Sequence, residues 1–205
     1  MTDARTRRTR DRLALAITAL GGTVRLEQMT VDDVVAASGL SKSTVYRHAK
    51  SPARFMADRF TAVLEHDLVE AISTDYGPGT ASWRHSMRHR QALTALWNET
   101  TARFAMYRLS VREPDSIILD SFVTIQEQLA VNYLEENLEK IQLPEVLAGA
   151  NRKWTIEVLT HQYCHGLIVL FKAMLADDEP LPLESFISLA RDLMPCWQCQ
   201  LLRQA

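Results

Sequence analysis

Apolar residues recur along this chain at intervals of three and four, the spacing of one face of an α-helix. Leu13, Ile17 and Leu20 mark the first such face, and Gly21-Gly22 ends it. Val31, Val34 and Val35 form the apolar side of a short second helix. Thr30 opens that helix, with Asp33 three residues later in a capping-box arrangement. Ser38-Gly39-Leu40 predicts a tight turn, and Ser41 predicts the cap of a third helix that runs to about His48. Ser51 caps a fourth, with Pro52 at the first helical position, where a missing N–H costs nothing. The fourth helix carries Phe55, Met56, Phe60, Val63, Leu64, Leu68 and Ile72 at helical spacing.

Tyr76-Gly77-Pro78-Gly79 is the strongest break in the chain. Helical patterns follow at 80–97, 99–110, 115–140, 145–176 and 183–203, punctuated by Glu113-Pro114, Leu143-Pro144 and Pro180-Leu181-Pro182. No segment alternates as a strand would. The expected fold is all-α, with about nine helices. A three-helix helix-turn-helix domain over 1–50, with a basic N-terminal arm at 1–11, is joined by the long fourth helix to a helical bundle within 51–205.

Composition fits a packed, soluble protein: 47% of the 205 residues are hydrophobic and 23% charged. The net charge of -2 hides an uneven distribution. Residues 1–59 hold eleven Lys and Arg against six Asp and Glu, a net +5, whereas the remainder holds twelve against nineteen, a net -7. A basic head on an acidic body points to a polyanionic partner for the head. Three cysteines, an odd count without an export signal, argue for a reducing cytoplasm rather than a disulfide framework. The longest apolar run, Leu167–Phe171, is far short of the roughly 20 residues that span a bilayer, so no membrane partner is expected.

The segment from Thr30 to His48 carries the chemistry. Two short helices joined by a glycine turn make a helix-turn-helix, whose second helix enters the DNA major groove. That helix, Lys42-Ser43-Thr44-Val45-Tyr46-Arg47-His48, is short, polar and basic, with Val45 facing the core. Thr30-Val31-Asp32-Asp33-Val34 followed by Ser38-Gly39-Leu40-Ser41-Lys42-Ser43-Thr44-Val45-Tyr46-Arg47-His48 closely resembles the DNA-binding signature of TetR-type (tetracycline-repressor-like) regulators. The match extends over about residues 12–60. The resemblance implies that Thr30, Thr44, Tyr46 and His48 contact backbone phosphate, and that Lys42, Ser43 and Arg47 face base edges. Ser41 caps the reading helix and Lys50 adds a cation at its end. Arg47 is the leading base reader, since arginine bidentate to guanine is the commonest specific contact. Arg5, Arg7, Arg8, Arg10 and Arg12 would add phosphate contacts or enter the minor groove as a tail. Two positions depart from the family pattern. Ala49 stands where an aromatic residue is usual, and Pro52 where a phosphate-binding lysine is common. Lys50 and Arg54 are the candidates to replace that lysine.

The resemblance also implies a ligand-binding bundle that dimerises through its last two helices. The residues support the dimer independently, because Leu167-Ile168-Val169-Leu170-Phe171 is apolar around the whole helix and must be buried all round. The expected dimer face is Leu167, Val169 and Leu170 with Phe186, Ala190, Leu193, Met194 and Trp197 of the last helix, which Pro195 bends. Candidates for a pocket holding an apolar or aromatic effector are Trp83, Met87, Trp97, Phe104, Met106, Tyr107, Phe122, Gln126, Tyr133 and Tyr163. Side chains of these types fill cores more often than they bind ligands. No cofactor is called for. His161, Cys164 and His165 at i, i+3 and i+4, with Cys196 and Cys199 on the last helix, offer an alternative: a repressor that responds to metal or oxidant. A helical enzyme is the rival from another class. The chain has no glycine-rich phosphate loop and no nucleophile elbow, and His85 and His89 lack the glutamate of a metalloprotease helix between them.

Overall fold

The structure is a computed structural model that describes residues 4–73, 81–112, 114–141, 143 and 145–193, without the side chains of 67–89 and 140. Among these residues the fold is all-α. Nine α-helices run α1 (Ala4–Gly21), α2 (Val31–Ser38), α3 (Lys42–Ala49), α4 (Pro52–Ser73), α5 (Ala81–Ala102), α6 (Phe104–Val111), α7 (Ile117–Asn137), α8 (Arg152–Met174) and α9 (Leu183–Leu193). Short 3-10 turns lie at Leu26–Gln28, Leu138–Lys140 and Glu145–Leu147. No described helix is long and apolar enough to cross a membrane.

The described chain groups into two compact units, one of residues up to 63 with 99–121, the other of 64–98 with the residues from 122 onward. In the first, α1 packs on α2, α3 and α6. Its core is built from Leu13, Ile17, Val34, Val45, Met56, Phe60, Met106 and Ile118, all fully or almost fully buried. Gly21 ends α1 against α6 so closely that a Cβ there would lie 2.3 Å from Met106 Cγ. The main-chain N–H of Leu26 donates to Ser110 Oγ (3.3 Å), and that of Ile117 donates to Glu27 Oε1 (3.2 Å). Arg25 pairs with Asp115.

One polar group is built into this core. Tyr107 is fully buried and donates its phenol O–H to Glu99 Oε1 at 2.7 Å. Arg103 pairs with the same carboxylate, and Phe60 packs on the Tyr107 ring with centroids 5.3 Å apart. Burial first, and then the Glu99 charge, push the Tyr107 phenol well above its usual range.

In the second unit α8 packs on α9. Gly166 permits the approach, since a Cβ there would stand 2.9 Å from the Leu193 carbonyl oxygen. Phe122 and Phe171 are fully buried with ring centroids 5.0 Å apart. A second apolar cluster joins Leu134, Leu138, Ile141, Leu147, Ile156 and Leu159.

The pattern and the structure differ at three places. The arginine segment at the N-terminus is not an extended arm: α1 begins at Ala4, so Arg5, Arg7, Arg8, Arg10 and Arg12 are helical. Alanine and arginine are good helix formers and nothing before Gly21 breaks the helix. The break expected after 97 falls instead at Arg103, whose φ of -133° and ψ of 31° leave the helix. α5 continues past Asn98 because Glu99 and Thr100 are buried polar residues of its last turns. The apolar run from 145 is only a 3-10 turn. Gly149 at φ 80° then reverses the chain, and α8 starts where the Asn151 side chain accepts from the N–H groups of Lys153 and Trp154.

Candidate nucleic-acid interface

The interface rests on two eight-residue helices and the three residues between them. Thr30 caps α2 in a full capping box. Its Oγ1 accepts from Asp33 N–H (3.2 Å) while Asp33 Oδ2 accepts from Thr30 N–H (2.8 Å) and from the Thr30 hydroxyl (2.6 Å). These bonds hold the Asp33 carboxyl below its usual range. Gly39 ends α2 in the left-handed region at φ 62°, where a side chain is strained. The Arg12 guanidinium of α1 lies beside this turn, 3.1 Å from where a Gly39 Cβ would stand.

Ser41 then caps α3, accepting from Thr44 N–H at 3.3 Å. Its Oγ lies 2.8 Å from Thr44 Oγ1 and 3.1 Å from Ser43 Oγ. Three hydroxyls thus surround the start of α3, where main-chain N–H groups and the helix dipole favour an anion such as phosphate. Along α3, Val45 and Ala49 are buried, fixing the helix's inner face. Lys42, Ser43, Tyr46, Arg47 and Lys50 are exposed, at spacings of one, three, one and three that make a single outward stripe. His48 and Thr44 flank it half-buried.

The stripe has internal partners. Lys42 Nζ lies 2.8 Å from Asp32 Oδ1, with both side chains about two-thirds exposed (67% and 70%). A pair so open to water is weak and exchangeable. Lys50 Nζ stands 5.7 Å from the centroid of the Tyr46 ring, which leaves that ring half-exposed. At the start of α4, Ser51 Oγ accepts from Arg54 N–H (3.2 Å), and Arg54 pairs with Asp58 (2.8 Å). Arg10 packs its guanidinium over Phe55, 5.2 Å from the ring centroid, which ties α1 to α4. Arg5, Arg7 and Arg8 are exposed.

An open groove of about 520 Å³ lies beside the starts of α2 and α4, lined among others by Thr30, Lys50, Ser51, Glu27, Asp115 and Asp120. None of the described residues expected to hold an effector lines it. Of those, Phe104, Met106 and Tyr107 belong to the first unit and Trp97, Phe122, Gln126, Tyr133 and Tyr163 to the second. Trp97 donates its indole N–H to the Leu181 carbonyl (2.8 Å), and Tyr163 donates to Gln126 (3.3 Å). Tyr133 and Tyr163 both pack on the cluster around Leu134 and Leu159. Trp83 and Met87 fall on side chains outside the described residues, as do His85 and His89.

Of the expected dimer residues, Leu167, Leu170, Phe186 and Ala190 are buried within the chain's own core, Leu193 is half-buried, and Val169 is exposed. Met194, Pro195 and Trp197 lie outside the described residues. The expected metal or thiol cluster is not assembled on α8. His161 and His165 are exposed, whereas Cys164 is buried, its thiol pushed up to about 11 by burial and by Glu127. A helix turns 100° per residue, so i+3 and i+4 neighbours straddle a face, and here the boundary between core and water falls between them. Cys196 and Cys199 lie outside the described residues. Among the described residues no group of three or more His, Cys, Asp or Glu could hold a metal ion.

None of the known protein-family profiles matches the chain, and no curated protein matches it.

Proposed function

We propose that this chain is a TetR-like transcriptional regulator, a repressor that binds a palindromic operator as a homodimer and is released by a small apolar or aromatic effector. The observation that carries the reading is the outward stripe of α3: Lys42, Ser43, Tyr46, Arg47 and Lys50 exposed together over a face anchored by Val45 and Ala49. A short, rigidly seated helix whose outward stripe carries three cations, a phenol and a serine has the chemistry to read base edges and grip phosphate. The hydroxyl-lined start of α3 and the +5 charge of the head suit the same polyanion.

In this reading the dimer sets two α3 helices about 34–36 Å apart, matching successive major grooves. The effector binds between helices of the second unit and favours a different spacing. By linkage, operator must weaken effector binding by the factor that effector weakens operator binding. The reading is tested by selecting genomic fragments with the purified protein and footprinting those enriched. A protected palindrome is the expected result. Enrichment no better than with random duplex at the same salt overturns the reading.

A further inference from the structure

We propose that His161 and His165 form half of a binding site for a zinc-type divalent ion, completed by the same pair from a second copy of the chain. Both imidazoles are exposed, one turn apart on α8, where i and i+4 side chains stand about 5–6 Å apart and can converge on one ion. His161 is already prepared as a ligand. Its Nδ1 lies 2.8 Å from the Glu157 carbonyl oxygen, which can only accept; in the neutral ring this contact selects the tautomer with the proton on Nδ1 and the lone pair on Nε2. That backbone contact is the outer-shell bond that metal-bound histidines make. Two ligands do not close a tetrahedral site, and no third described residue of the chain is placed to help.

The remaining ligands come from the face around them. With 100° per residue, Trp154, Val158, His161, His165, Ile168, Val169 and Lys172 lie on one strip of α8, opposite buried Leu159, Leu167 and Leu170. Trp154 and Val169 are large apolar residues left 49% and 39% exposed on that strip. A two-fold axis through the midpoint of His161 and His165 makes an antiparallel, self-complementary pair. It sets His161 against His165 of the second copy and gathers four imidazoles. It also sets Trp154 against the second copy's Lys172, a cation over an indole, and brings Glu157 within a turn of that lysine. Aromatic, apolar and charged groups of one strip thus complement their own copies. The inference rests on the reading of α8 as a dimer helix.

The test titrates ZnCl2 into EDTA-stripped full-length protein and into the Cys196→Ser/Cys199→Ser variant, following oligomeric state by sedimentation and zinc by chelator competition. Expected are one zinc per two chains and a dimer dissociation constant lowered roughly tenfold or more by zinc, in both proteins. His161→Ala and His165→Ala should each abolish that response. Alanine at an exposed helix position keeps the fold, so both variants should keep the parent's far-UV circular dichroism and urea midpoint. Normal zinc-free dimerisation that ignores zinc overturns the metal site and leaves the dimer standing. A chain monomeric with and without zinc overturns both. One zinc per chain, or a response lost with the cysteines, overturns the shared histidine site.

Discussion

Under the proposed function, single side chains of α3 decide what is recognised. Arg47 is exposed at the centre of the α3 stripe. Arg47→Ala should lose roughly 1–3 kcal/mol of operator affinity and relax preference at one base pair, whereas Tyr46→Phe should weaken binding equally on all sequences. Fluorescence anisotropy on single-base operator variants separates the two. Asp32 pairs with Lys42 on the outer surface, and Asp32→Asn should strengthen binding to any duplex and steepen its salt dependence. Inside the first unit, the Tyr107 phenol is raised by burial and by Glu99. A raised pKa in the folded state means that its stabilising effect is complete below pH 10, the ordinary phenol value, and is lost as pH climbs beyond it. Urea unfolding from pH 8 to 11 should therefore fall more steeply in the parent than in Tyr107→Phe. The helix caps at Thr30, Ser41 and Ser51 were legible in the sequence because each involves neighbours within three residues. The bond from Tyr107 to Glu99 was not, since two side chains eight apart on different helices leave no periodic mark.

At the scale of the element, helices announced themselves wherever one apolar face was continuous. The stretch from α2 to the start of α4 follows the pattern closely, since caps, glycine turn and Pro52 all agree. The start of α8 was obscured because Leu147 is buried in a 3-10 turn beside exposed Val146, and an apolar pair reads alike in either form. The charge of the N-terminal arginines suggests an arm, but their helix propensity favours continuation of α1. Close contacts between elements are invisible to periodicity but testable. Gly21→Ala forces Met106 aside, and Gly166→Ala drives a methyl into the Leu193 carbonyl. Each should cost roughly 1–3 kcal/mol in thermal or urea unfolding. Gly22→Ala, whose Cβ would meet nothing closer than 3.6 Å, should stay near the parent.

Across the whole molecule, the all-α class followed from composition and period, but the grouping of segments did not. The first compact unit takes in residues 99–121 from the middle of the chain, through Met106 against Gly21, Phe60 against Tyr107 and Arg25 against Asp115. A linear reading places boundaries at loops and has no signal for a segment that returns. Residues 1–63 expressed alone would leave Phe60 and Leu26 without that cover. Their amides should exchange with solvent faster than in the full chain, by hydrogen–deuterium exchange. The distribution of the candidate effector residues between both units has the same origin: aromatic character predicts burial, not the partner it is buried with.

The discontinuous first unit also bears on how such a gene can be recombined. A reading head contained in one stretch could be exchanged between regulators by a single crossover. Here that crossover would carry α3 without the α6 surface that Gly21 and Phe60 are shaped to meet. A working chimera needs both segments from the same parent, so under the proposed function new operator specificity should arise by point changes along α3 rather than by shuffling whole heads.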